Sequence, residues 1–285
     1  MTRTEVRSEQ GRQFRAGIVA RLRRSIPGTS IVRIGETQFH ESAARHVIAH
    51  LEVSLSLPSL ILVPGAWHKP EHLALLTDEL RDVDVHTVAL ASSGDDPAKL
   101  GDMHQDASLI RNAVAAIDGP VVVVAHSYGG IPTSQGLAGA DNVRRIVYLA
   151  AFQIEVGESL LSSAGGSPAP WWKIHQDTGT GEYVEAMNPV DVFYGDVDPD
   201  IARQAVAQLG YQSYSSKTQE QTQAAWHTIP STYVVCEADN ALPPFAQEHF
   251  ASRAGRVARM ATSHSPFLSQ PAALARLIRD DLASA

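Results

Sequence analysis

One cysteine in 285 residues leaves no partner for an internal disulfide and excludes a metal site built from several thiolates. That thiol, Cys236, falls in the strand-like Thr232-Tyr233-Val234-Val235-Cys236, a setting that suits a packed core residue in a reduced, cytoplasmic protein. Long apolar runs are also missing: none approaches the roughly 20 residues that a membrane span needs. Basic excess is missing too, since the net charge is −8. Neither a membrane nor a nucleic acid is therefore expected as a partner. There is no phosphate-binding loop, dinucleotide fingerprint or EF-hand loop, so no cofactor is implied. No internal repeat is present.

Lysine is absent from residues 1–50, which hold nine arginines and four glutamates and so carry +5 against −13 for the remainder. Residues 1–57 read as an appended basic extension. Arg12 to Arg24 suits a basic amphipathic helix ending before Pro27, while Ser30–Ile34 and His46–Leu55 are candidate edge strands leading into a sheet. Arg23-Arg24 precedes no apolar stretch, so an export signal is not expected, and the glutamates argue against an organellar transit peptide.

From about Pro58 the pattern becomes regular. Apolar strand candidates stand at Leu60–Val63, Val83–Leu90, Val121–Ala125, Ile146–Ala150, Tyr233–Cys236 and Val257–Met260. Helical patterns at Pro70–Leu80, His104–Ile117, Gly130–Leu137, Pro244–Ala254 and Pro271–Leu282 separate most of them. Such alternation means right-handed βαβ crossovers and a mostly parallel central sheet with helices on both faces. It breaks once, over residues 154–229, a stretch rich in Gly, Pro, Ser and aromatics that reads as a mostly helical cap insertion. The chain thus parses as an extension (1–57), a core in two parts (58–153 and 230–285) and a cap (154–229).

The most telling stretch is Ala125-His126-Ser127-Tyr128-Gly129, directly after four consecutive valines. A buried strand that stops at small-x-Ser-x-Gly and restarts as a helix fits a nucleophile elbow, where a strained turn lifts a serine hydroxyl clear of the backbone. A serine that only caps the following helix is the plainer alternative. A serine nucleophile needs a base and an orienting acid. Asp239 follows the strand ending at Cys236, and His264 follows the strand ending at Met260, so all three fall at the edge of a parallel sheet where ligands bind. Glu237 is the rival acid, two residues nearer its strand. Two backbone N–H donors must also meet the developing oxyanion. Tyr128 offers one, and Ala66, in the loop Pro64-Gly65-Ala66-Trp67-His68, offers the other.

These motifs, with Asp239-Asn240-Ala241-Leu242-Pro243 and His264-Ser265-Pro266-Phe267, resemble small serine esterases of the α/β-hydrolase superfamily. They are most similar to bacterial relatives of the plant methylesterase and hydroxynitrile lyase group. The resemblance covers residues 58–285. It implies an α/β-hydrolase fold, Ser127 as nucleophile, His264 as base, Asp239 as orienting acid, and Ala66 and Tyr128 as the oxyanion hole. Ala125 stands where glycine is more usual, and Pro64 where histidine is commoner. Ser265 replaces the lysine that the plant lyases place beside the catalytic histidine, which counts against cyanohydrin cleavage; Lys69 is the nearest substitute. Ser127 occupies the position where epoxide hydrolases and haloalkane dehalogenases need aspartate.

The expected activity is cofactor-free hydrolysis of a small-molecule carboxylic ester in the cytoplasm. A C–C bond or lactone hydrolase using the same triad, and a ligand-binding protein with a retired site, stay open. Trp67, Phe152, Trp171, Tyr194 and Trp226 are candidates to line an apolar substrate pocket. Oligomeric state stays open between monomer and homodimer. His68-Lys69-Pro70-Glu71-His72 matches an inverted zinc-peptidase pattern, but Pro70 suits a helix's first turn and leaves His68 upstream of it. His46 and His50 share helical spacing without a third ligand nearby, and His126 suits packing beside the elbow.

Overall fold

The computed structural model describes residues 31–34, 37–40, 57–177 and 181–285, and the chain divides into two units, Met1–Leu57 and Pro58–Ala285. In the first unit β1 (Ile31–Ile34) and β2 (Thr37–His40) form an antiparallel pair, with Ile31 opposite His40. Within the expected Ser30–Ile34 strand, Ile31–Ile34 is extended and pairs with Thr37–His40. The expectations for Arg12–Arg24, His46–Leu55 and the His46/His50 pair lie outside the described residues.

In the second unit the strands run β3 (Ser59–Val63), β4 (Val85–Thr87), the short β5 (Ser93–Gly94), β6 (Val121–His126), β7 (Val143–Leu149), β8 (Trp172–Asp177), β9 (Gly181–Ala186), β10 (Tyr211–Ser213), β11 (Ser231–Cys236) and β12 (Arg256–Met260). The helices are α1 (Ala74–Glu79), α2 (Met103–Ala115), α3 (Gly130–Gly136), α4 (Leu160–Ser163), α5 (Pro189–Phe193), α6 (Pro199–Gln208), α7 (Ser215–Thr218), α8 (Pro244–Ala251), α9 (Pro266–Ser269) and α10 (Pro271–Ser284). Six strands make the central sheet in the order β12-β11-β7-β6-β3-β4, every neighbouring pair parallel.

β6 lies inside this sheet because its residues can be buried on both faces. All six of its residues are buried, and each fully buried valine contributes about 1.5–3 kcal/mol of transfer free energy. α2 covers the sheet with Met103, Ala107, Ile110 and Val114 on one stripe, and Asp102 caps its start by accepting the Gln105 N–H at 2.9 Å. The expected strand Val83–Leu90 shrinks to β4. It sits at the sheet edge, where Val85, His86 and Thr87 are in register with Leu60, Ile61 and Leu62 of β3. Pro70–Leu73 forms a single 3-10 turn ahead of α1.

The insertion is not mostly helical, contrary to expectation. β8, β9 and β10 join β5 of the core in a four-stranded antiparallel sheet ordered β5-β10-β9-β8. Cross-strand partners explain the strands: Lys173 bonds Glu185 at 2.9 Å, and the His175 and Tyr183 rings stack 4.6 Å apart. Gly165-Gly166 and Gly195 follow α4 and α5 closely, and α4, α5 and α7 are only four or five residues long, whereas α6 runs ten. Among the described residues no helix is long and apolar enough to cross a membrane.

Candidate active site

The C-terminal edge of the sheet gathers the predicted residues. Ser127 follows β6 directly, in the left-handed region at φ 54°. A non-glycine residue pays strain there, which is characteristic of a functional turn. The turn closes because its neighbours have no side chains. A Cβ on Gly65 would come within 2.8 Å of Ser127 Cβ, and one on Gly129 within 2.5 Å of the Pro64 carbonyl oxygen. The Phe152 N–H donates to the Ser127 carbonyl at 3.1 Å and ties the turn to the chain beyond β7.

Asp239 and His264 meet side chain to side chain. Their loops are laced by backbone bonds from Glu237 N to Met260 O and from Ala238 N to Thr262 O, both 2.9 Å. His264 Nδ1 lies 2.6 Å from Asp239 Oδ2, and both side chains are buried. A carboxylate there keeps the proton on Nδ1 and leaves Nε2 its lone pair. Asp239 also accepts the N–H groups of Ala241 and Leu242 and the amide of Gln247 at 3.0 Å. Gln247, on α8, braces the turn further, since its Oε1 accepts the Cys236 N–H at 2.9 Å. The rival Glu237 is exposed. The structure records no hydrogen bond between Ser127 Oγ and His264 Nε2; such contacts often tighten only when substrate binds. His126 bridges the two loops instead, donating from Nε2 to the His264 carbonyl at 2.9 Å.

Ala66, Ser127 and Tyr128 line one cavity of about 780 Å³, a volume suited to a small molecule. A buried network connects the two candidate oxyanion segments. Tyr128 OH donates to Asp106 at 2.7 Å, Asp106 holds Ser92, and Gln212 donates to Ser92 Oγ at 2.7 Å. Gln212 Oε1 then accepts the Trp67 N–H at 3.0 Å, next to Ala66. Burial raises the Asp106 carboxyl to about 6. The insertion grips the same loop twice more, through Trp67 Nε1 to Val184 O and Gly210 N to Trp67 O. Gln212 had no signal in the sequence beyond being one glutamine among several in the insertion.

Of the predicted pocket residues, Trp67, Phe152 and Trp171 line the cavity. Tyr194 and Trp226 do not. The Tyr194 hydroxyl is engaged by His68 Nε2 at 2.9 Å, and the Trp226 indole N–H by the Ile154 carbonyl at 2.9 Å, which holds both rings away from the cavity. Trp172, Phe193 and Lys217 line it instead. Lys217 changes the reading of charge in the site. Lys69, the expected substitute for the missing lysine, pairs with Asp95, whereas Lys217 reaches the cavity from α7.

His68 and His72 are occupied by protein groups. His68 Nδ1 donates to the Ala66 carbonyl at 2.8 Å, and His72 Nε2 donates to the Ala205 carbonyl at 3.0 Å. Burial lowers both, His68 well below the ordinary histidine value, and it does the same to His126. Among the described residues no group of three His, Cys, Asp or Glu side chains could hold a metal ion. Cys236 is a buried core thiol that burial pushes up.

The chain belongs to the α/β-hydrolase family, whose pattern it matches over residues 60–277. It is 32% identical over 243 residues to the α/β hydrolase nvfD of Aspergillus novofumigatus, spanning 78% of this chain and 96% of that one. Among solved structures, a pyrethroid hydrolase from Sphingobium faniae superposes with a TM-score of 0.65 at 22% identity, covering 81% of this chain and 98% of that one. The methylesterase MES16 from Arabidopsis superposes with a TM-score of 0.67 at 17% identity, covering 80% and 100%.

Proposed function

We propose that this hydrolase is a cofactor-free serine esterase acting on small-molecule carboxylic esters in the cytoplasm. Ser127 Oγ attacks the ester carbonyl carbon while His264 Nε2 takes its proton. The Ala66 and Tyr128 N–H groups receive the oxyanion, and His264 then protonates the departing alkoxide. Water, deprotonated by His264, attacks the acyl-enzyme and releases the acid. Asp239 keeps the imidazole in the tautomer that both steps need. The observation that carries this reading is a buried, carboxylate-held histidine bridged to a strained serine turn that opens on a cavity. Two structural relatives, one named a pyrethroid hydrolase and the other a methylesterase, support it.

A series of para-nitrophenyl esters of rising acyl length tests the proposal. Ser127→Ala is expected to lower turnover by roughly 10⁴–10⁶ without unfolding the protein. Ester hydrolysis that survives the substitution would refute it. One observation favours a second reading, cleavage of a C–C bond by the same groups: Lys217 supplies the cavity with an ammonium that could stabilise a departing anion. Cyanide release from mandelonitrile, abolished by Ser127→Ala, would establish that reading in place of the first.

A further inference from the structure

Ester hydrolysis through Ser127 and His264 makes no use of Lys217. It is fully buried, and it lines the cavity that Ser127 lines. Its Nζ stands 4.1 Å from the ring centre of Trp67, 4.9 Å from that of Trp172 and 5.5 Å from that of Tyr128. Among the described residues, Nζ has no hydrogen-bond partner. Aromatic faces attract a cation but accept none of its N–H bonds in the way an oxygen does. An ammonium stripped of water and acceptors is costly to keep, and Lys217 is one of the side chains lining the cavity into which a substrate would bring an acceptor.

We propose that Lys217 is a specificity residue that binds an anionic oxygen of the substrate, so that the preferred ester carries one carboxylate on an otherwise apolar frame. This rests on the esterase reading and names a substrate class for it. Trp67 adjoins the Ala66 donor and Tyr128 carries the other, so Lys217 lies among side chains of the two oxyanion segments. That placement fits a group held on the bound substrate better than a fragment leaving past His264.

The surroundings bring one competing anion. Asp106 on α2 faces Lys217, but its carboxylate is taken by Ser92 and Tyr128, and burial keeps the Tyr128 phenol protonated. α4 and β10 carry no charged side chain. On β8, Lys173 and His175 alternate to the face opposite Trp172, where both meet Glu185. Burial depresses the Lys217 amine to about 7. Below that pH it is an ammonium and binds an anion; above it the amine is neutral, and binding must recruit a proton.

The test compares para-nitrophenyl hydrogen adipate with para-nitrophenyl hexanoate, which differ by one terminal carboxylate. The proposal expects kcat/KM for the adipate to exceed that for the hexanoate by on the order of 10-fold to 100-fold. As pH rises above about 7, KM for the adipate should climb by up to roughly tenfold per unit relative to the hexanoate. Lys217→Met should collapse the ratio toward unity. Hydrolysis of both esters with no preference, or a preference that ignores pH in the wild-type protein, would overturn the proposal and leave the esterase reading standing. If neither ester is hydrolysed, the esterase reading falls, and tryptophan quenching decides the subsite. Hexanoate should quench at low pH and hexanamide should not, and equal quenching or none would overturn it.

Discussion

The sheet edge and the insertion contribute to the same cavity in different ways. At the edge, every predicted group lies within four residues of a strand end: Ser127 after β6, Ala66 after β3, Asp239 after β11 and His264 after β12. Parallel pairing fixes the spacing of those strands, and so it fixes the spacing of the groups. The insertion works through single side chains on very short elements: Gln212 on the three-residue β10 and Lys217 on the four-residue α7. On the proposed reading, the edge carries the reacting groups, and the insertion aligns one loop and sets the charge of the cavity. Chemistry and selectivity should therefore be separable by mutation.

The largest expected effect lies at the edge. Asp239→Asn should lower kcat by on the order of 10⁴, because an amide that donates to His264 favours the wrong tautomer. Glu237→Gln, exposed and only two residues away, should stay close to wild type. Steady-state kinetics of the two variants checks this, and the reverse pattern would move the acid to Glu237. A smaller effect is expected from the insertion. Gln212→Leu orphans the buried Trp67 N–H and loosens the Ala66 loop, a loss of about 1–3 kcal/mol of positioning. It should appear as a fall in kcat of about tenfold with KM nearly kept. An unchanged kcat would mean that the insertion roofs the site without aligning it.

The same contrast explains what could be read from the sequence. Four valines ending in a Ser-x-Gly turn announce a buried strand and an elbow together, and strand–helix alternation places Asp239 and His264 at one sheet edge, where their side chains meet. Hydrophobic periodicity needs about 11 or more residues to speak, and α4, α5, α7 and β10 are all shorter. Hence a mostly helical insertion is the expectation over residues 154–229, and neither the β8–β9 hairpin nor the two-residue β5 has a signal in the sequence. Lys217 and Gln212 gave no local signal, because their partners Trp67 and Ser92 lie more than 100 residues away in sequence. Tyr194 and Trp226 mislead for a related reason: an aromatic ring's direction depends on the partner its polar tip finds.

Labelling with a fluorophosphonate probe, followed by peptide mass spectrometry, tests the central claim most directly. The account predicts one adduct on Ser127, formed in step with loss of esterase activity and absent from Ser127→Ala. An adduct on another serine, or none in protein that hydrolyses esters, would contradict it.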